Sequence, residues 1–443
     1  MSNSSHSSAS LVADVIDNGQ ISAQQMLVIG LCMFFNMLDG FDIIAMAIVA
    51  SDVSTELQLS PDRLGWIFSF ALAGMMAGAM LLAPVSDIIG RRKMIILSVT
   101  LVGVSILLTA NANSLAEFVV LRFISGIGAG AMLASQATLS AEYSPERYRA
   151  FSVAAVTSGY ALGAMMTSVI AGFVMPEYGW RGMFWFGGGL TLSMVVVAWL
   201  FIPESLKYLF ERRPANALER VNKILRKLKK DTLSELPDIA ERGKKIKAGF
   251  FATLFKLLAK EHRVVTLTLW LTFFLCFATL YFLLSWIPKL MDDAGFEVAV
   301  GRQAFFLFNF GGVLGIYLLG ILSTRFKLTN IIFALLFLSA IAMIVFAMAP
   351  TERNLMLSII FVIGMFQQGG FTGLYSAAAK AYPTEIRATG IGWSIGLGRL
   401  GAVLGPAAAG YFIAAGLDMS ANFYIFAVPM AIGGLIAYCL HIR

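Results

Sequence analysis

The chain has 443 residues, 58% of them hydrophobic and only 13% charged, and its mean hydropathy is +0.79. A water-soluble chain of this size carries about 25% charged residues, so a soluble globular protein is excluded and an integral membrane protein is implied. The net charge of +7 arises in one segment, Pro203 to Arg263, where 16 Lys and Arg stand against 8 Asp and Glu; charge so confined suits a loop beside a membrane, not a nucleic-acid-binding surface.

Residues 1–25 are Ser-rich, and no Lys or Arg precedes Arg63, so the positive region of a cleaved signal peptide is missing. A disordered tail is expected there. Apolar segments of spanning length, ~17–25 residues each, then follow at 26–50, 64–86, 94–111, 117–141, 150–174 and 182–202. After the charged stretch come 265–291, 302–322, 329–349, 354–379, 388–415 and 421–441. The predicted fold is an all-α membrane bundle of twelve helices. A first six-helix half (26–202) and a second (265–443) are joined by a basic loop (203–264). With both termini on the loop's side, that side collects 26 Lys and Arg and the other side 5, which predicts cytoplasmic termini. Pro214 to Lys230 alternates apolar and basic residues at helical spacing and predicts a short amphipathic helix at the inner surface.

The opening span carries Asp39-Gly40-Phe41-Asp42. A charged side chain at mid-bilayer costs at least ~2.5 kcal/mol, so such acids usually face a protein cavity and mark an ion or proton pathway. Their i, i+3 spacing places both on one face, close enough to share a partner or a proton. Gly40 between them permits close approach of a helix or ligand. In the fourth span Arg122 precedes a Gly126/Gly130 packing stripe; the pattern resembles the fourth-helix motif of proton-coupled facilitators, which implies an arginine facing the pathway, while by the blander reading it meets headgroups or Glu117. That span ends in Glu142, either a gate acid or an ordinary helix-end carboxylate. The eleventh span holds Gly396-Leu-Gly398-Arg399-Leu-Gly401. This matches a dinucleotide-binding pattern only by accident, because no strand precedes it and it lies inside an apolar run. Arg399 is the informative residue: counted from the cytoplasmic ends it reaches a depth similar to Asp39, and a buried arginine there needs a protein acid or an anionic substrate as partner.

Tyr160, Tyr281, Ser285, Trp286, Asn309, Gln367, Gln368, Tyr375 and Trp393 also fall mid-span. From these, Tyr281, Trp286, Gln367, Gln368 and Tyr375 join Arg122 and Arg399 as candidate substrate contacts, and Asp39, Asp42 and Glu142 are the candidate proton-coupling groups. Enzymatic chemistry is not expected. The three histidines, His6, His262 and His441, are scattered, the three cysteines lack metal-ligand spacing, and no phosphate-binding loop is present, so the expected drive is a proton gradient and no cofactor.

The turn after the second span reads Ala83-Pro-Val-Ser-Asp87-Ile-Ile-Gly90-Arg91-Arg92, and its counterpart in the second half Gly320-Ile-Leu-Ser-Thr324-Arg325-Phe326. It resembles the signature of the major facilitator superfamily, in which an acid and a basic cluster tie neighbouring helices together. Ala83, Ile88 and Thr324 depart from that signature, which predicts a weaker latch in the second half. The resemblance makes Asp87, Gly90, Arg91, Arg92, Arg325 and Arg387 gating residues. Asp39-Gly-Phe-Asp42, together with Tyr382-Pro-Thr-Glu-Ile-Arg387-Ala-Thr-Gly-Ile-Gly-Trp393 leading to Arg399, resembles the aromatic acid/H⁺ symporter family of that superfamily. Leu284-Ser-Trp286-Ile-Pro288 and Pro203-Glu204-Ser205 support the match. The family commonly has Tyr where this chain has Phe41.

The resemblance implies proton-coupled uptake of benzoate-like, hydroxybenzoate-like or related catabolic acids across a bacterial inner membrane, by a protein expected to be a monomer. The competing reading is a proton-driven exporter of amphipathic compounds on the same fold. The two acids are expected to titrate as a unit, with the proton assigned to neither. Anion binding at Arg399 or Arg122 then frees an acid to take up a proton.

Overall fold

The computed structural model describes residues 21–228, 230–236, 257–383 and 386–440. The tail through residue 20 and residues 237–256 of the basic loop lie outside these. Among the described residues the chain is helical, without strands. Runs of Leu, Ile, Val, Phe and Ala meet no water in a bilayer, so each segment must satisfy its own backbone polar groups, and the helix does so.

Helix α1 (Ala23–Ile48) begins three residues before the expected span, where Ser22 and Gln25 form a reciprocal capping box. A short α2 (Ala50–Glu56) follows. Next, α3 (Pro61–Ala77) and α4 (Ala83–Ile89) are joined by a π turn over Gly78–Leu82. The turn widens just ahead of Pro84, whose missing N–H and ring bulk interrupt the regular ladder. After α5 (Arg91–Thr109) and α6 (Leu115–Glu142) comes the 56-residue α7 (Glu146–Phe201). It is broken at Gly179, whose φ of 62° and ψ of −167° only glycine adopts readily. Two short helices, α8 (Leu206–Arg212) and α9 (Ala217–Lys227), precede α10 (Arg263–Asp293), α11 (Val298–Leu322), α12 (Leu328–Met348), α13 (Arg353–Ala381), α14 (Arg387–Ala414) and α15 (Met419–Tyr438). Eleven helices among the described residues are long and apolar enough to cross a membrane. Because α7 bends back at Gly179, it supplies two spans, and the twelve expected spans are all accounted for.

Glycines set the closest contacts, and the contacts recur. In the first six spans a Cβ on Gly74 or Gly78 would overlap the carbonyl of Phe123 or Ile127; in the last six, Gly311 and Gly315 stand in the same relation to Phe361 and Met365. At the next position the two copies differ: Gly130 of α6 lies against the Met75 carbonyl, whereas in the later copy the Gln368 side chain of α13 lies on Gly312.

Helix α9 matches the amphipathic helix expected within 214–230. Its apolar residues Val221, Ile224 and Leu225 do not face outward but pack with Val28, Cys32, Tyr143 and Phe210 at the end of the first six spans. The end of the bundle carrying this segment is called the loop end. The side-chain contacts joining the first six spans to the last six lie toward the opposite end. Ser69 donates to the Val403 carbonyl (2.6 Å), Trp66 donates to the Tyr411 hydroxyl (3.1 Å), and Phe68 meets Trp286 edge-on (5.4 Å). Gly65 lets Pro406 and Ala407 approach α3. At the same end α2 is held to α7 by Glu56, which accepts from Trp180 (2.7 Å) and Arg181 (2.6 Å). These bonds, the indole's first, lower the Glu56 pKa.

Candidate functional site

The acids of α1 divide between two environments. Asp42 is fully buried and forms an ion pair with Arg122 of α6 at 2.8 Å. The Ser125 hydroxyl donates to its other oxygen at 3.0 Å, and Arg122 also donates to the Asp42 carbonyl at 3.2 Å. The guanidinium lies 5.3 Å from the Phe184 ring centroid, so its remaining face is covered too. Every member of this group belongs to the first six spans. The alternative of Arg122 with Glu117 does not form; Glu117 accepts from the Asn113 backbone instead.

Asp39 is 1% exposed, and among the described residues neither of its carboxylate oxygens has a hydrogen-bond partner. The groups coupled to it electrostatically are Asp42 on its own helix, Arg399 of α14, Tyr160 of α7 and Tyr281 of α10. The i, i+3 spacing therefore sends one acid to an internal partner and the other toward the last six spans. Gly40 makes this possible, since a Cβ there would overlap the Tyr160 carbonyl. Gly40→Ala would force α1 off α7 between the two acids, at a cost of about 1–3 kcal/mol for overpacking. A lower melting temperature of the purified protein is the expected reading, and an unchanged one would remove this contact from the account.

Arg399 is half-buried and sits on the same face of α14 as Gly392 and Gly396. A Cβ at either glycine would meet nothing within 4 Å, so a bare stripe leads from the loop end to the guanidinium. Beside it is a wall of rings. Phe277 meets Phe371 at 4.7 Å, Tyr375 meets Phe273 at 5.4 Å and Phe371 at 5.5 Å, and Phe277 stacks on Tyr281 at 6.0 Å. Tyr375 is 36% exposed and carries a hydroxyl. An anion with a flat apolar body finds here a cation, π surfaces and hydroxyl donors.

Other candidates lie elsewhere. Trp286 is fully buried in the seam between the two sets of spans, where its indole donates to the Pro406 carbonyl at 3.0 Å. Gln368 is occupied against Gly312, and Gln367 is buried with neither amide atom bonded. Glu142 is not beside the α1 acids. It pairs with Arg91 at the loop end and accepts from Ser205. Arg91 reaches Ser205 at 2.6 Å and Asp87 at 3.2 Å, while Glu204 accepts from the backbone N–H groups of Arg92 (3.1 Å) and Ser205 (3.0 Å). Gly90 has φ 102°, and its missing Cβ leaves room for the Glu204 carboxylate. In the second copy Arg325 is exposed and makes no ion pair with another described residue, and Arg387 donates to the Tyr382 carbonyl at 3.3 Å.

Sequence reasoning missed Phe273, Phe277 and Phe371, because one phenylalanine among 35 carries no signal in an apolar span. Ser125, three residues beyond Arg122, was legible by helical spacing. Gln136 was missed as well; it is buried with an unbonded amide.

The family model described as the Major Facilitator Superfamily matches residues 29–352 and 303–443. The gallate transporter of Pseudomonas putida is 29% identical over 94% of this chain and 92% of its own length. The 4-hydroxybenzoate transporter PcaK of Acinetobacter baylyi is 30% identical over 88% and 85%, and the 3-(3-hydroxy-phenyl)propionate transporter of Escherichia coli 30% over 95% of each. Among solved structures, the xylose transporter XylE of E. coli in an inward-open conformation superposes with a TM-score of 0.72 at 16% identity, covering 94% of this chain and 96% of that one. A bacterial homologue of the lysosomal transporter Spinster, in an inward-facing conformation, gives the same score and identity over 95% and 97%.

Proposed function

The chain belongs to the Major Facilitator Superfamily and is a multi-pass membrane transporter, not an enzyme; from that premise we propose that it takes up aromatic carboxylates together with protons. The relatives transport gallate, 4-hydroxybenzoate and a hydroxyphenylpropionate, all of which pair a carboxylate with a hydroxylated ring. The observation that carries the reading is Asp39, buried without a hydrogen bond on one side of the site, with Arg399 on the other side as its counter-charge. A substrate carboxylate competes with Asp39 for that guanidinium. Once Arg399 is taken, Asp39 is an unpaired acid in an apolar setting and binds a proton. By linkage the proton in turn favours the substrate, and this reciprocity couples the two fluxes.

The 26-to-5 bias of basic residues supports a cytoplasmic loop end, and the reading takes the membrane to be a bacterial inner membrane. The conformation is then inward-facing: the seam at Ser69, Trp66 and Trp286 seals the outer side, and the glycine stripe of α14 is the path inward. The Arg91–Glu142–Ser205 group ties the cytoplasmic ends of α5, α6 and α8, and opening outward requires the loop ends of the two sets of spans to close.

Uptake of radiolabelled 4-hydroxybenzoate into proteoliposomes, with and without an inward proton gradient, tests the reading. Gradient-dependent accumulation is expected, and equal entry after protonophore treatment would refute proton coupling. Arg399→Ala should weaken equilibrium binding of the same probe about 10- to 100-fold, the worth of a charge-assisted contact. An unchanged Kd would confine Arg399 to structure.

A further inference from the structure

We infer that each cycle moves one proton with one monovalent carboxylate, so that transport is electroneutral, because Asp39 alone of the two α1 acids exchanges a proton. The inference rests on the proton-coupled reading and adds its stoichiometry.

Asp42 and its partners, Arg122, Ser125 and Phe184, come from α1, α6 and α7. All lie within the first six spans, so a movement of these against the last six leaves the group intact. Protonating Asp42 would strand Arg122, which is 1% exposed and forms no ion pair with another described residue. Breaking a buried pair from one side is strongly unfavourable. Asp39 differs on each count. Its oxygens accept no hydrogen bond, and its opposite charge, Arg399, stands on α14, across the interface and half-open to the glycine stripe. The remaining titratable groups that face it, Tyr160 and Tyr281, carry no charge.

Charge accounting then selects the forms that can turn over. In the empty carrier Asp39 is negative and Arg399 positive, while the Asp42–Arg122 pair sums to zero. In the loaded carrier the substrate carboxylate neutralises Arg399 and Asp39 holds one proton taken from water, so the sum is again zero. Substrate without a proton leaves one negative charge in mid-membrane, and a proton without substrate leaves one positive charge. Both unbalanced forms incur the intramembrane charge penalty and turn slowly. If Asp42 also loaded a proton, the loaded site would carry one positive charge, and every inward turn would move that charge through the membrane field.

Proteoliposomes with potassium and valinomycin separate the two driving forces, with radiolabelled 4-hydroxybenzoate as the probe. An inside-alkaline gradient at zero potential should drive accumulation. A potential of either sign at matched pH should drive none and change the initial rate less than about twofold, whereas one transported charge would bias accumulation about 50-fold per 100 mV. Accumulation driven by an inside-negative potential alone would overturn the one-proton assignment while leaving proton coupling standing. Accumulation under neither gradient would overturn the coupled reading itself. The double variant Asp42→Asn/Arg122→Gln removes the second acid without stranding a charge. It should still accumulate the probe under the pH gradient, and a folded double variant that responds to neither gradient would assign the proton to Asp42.

Discussion

Asp39→Asn should reduce proton-driven accumulation to simple equilibration while leaving exchange of substrate for substrate measurable. For one proton per substrate, a gradient of one pH unit sustains about tenfold accumulation, because a tenfold ratio and a pH unit are the same ~1.4 kcal/mol. An amide keeps the size of the carboxyl but cannot take up and release the proton. In the variant Arg399 has no counter-charge until substrate arrives, so the loaded form is neutral and turns, whereas the empty form holds a lone cation and returns slowly. Counterflow should therefore survive where accumulation against a gradient does not. Asp39 would leave the mechanism if the variant accumulated 4-hydroxybenzoate as the parent protein does.

The largest effect on stability is expected at Arg122. Arg122→Ala leaves Asp42, at 0% exposure, with the Ser125 hydroxyl and no cation at hydrogen-bonding distance. Loss of one partner from a buried ion pair costs about 3–5 kcal/mol, most of it the uncompensated charge. The purified variant should lose its monodisperse peak at markedly lower temperature than the parent. Adding Asp42→Asn, with Arg122→Gln in place of the alanine, removes both charges and should restore most of the loss. Equal thermal stability of Arg122→Ala and the parent would show that the pair does not hold α1 to α6.

Much of this was readable from residue order alone, for a definite reason. A bilayer imposes length and apolarity on every span, so spans, connecting loops and their basic bias are written in one dimension. Gly179 agrees with that reading and sharpens it: the fifth and sixth spans, counted separately, are two helices that meet at this one residue of positive φ. The acids and arginines also stood out, because charge inside an apolar run is rare whatever it faces. Of the glycines flanking Arg399 in the eleventh span, Gly398 and Gly401 lie against Phe273 and Phe274 of α10, whereas Gly396 faces open space, a difference that spacing does not show.

Sequence by itself determined the class of molecule, its spans and the short list of charges buried within them, since each follows from local hydropathy and spacing. Only the tertiary structure decided how those charges pair. It joins Asp42 to Arg122 and Ser125, turns Asp39 toward Arg399, moves Glu142 to the loop-end latch and withdraws Trp286 into the seam. Helical periodicity fixes which residues share a face, but the neighbour on that face comes from a helix dozens or hundreds of residues away. Which partner it offers depends on how glycine-lined surfaces such as Gly40 against Tyr160 let the helices meet.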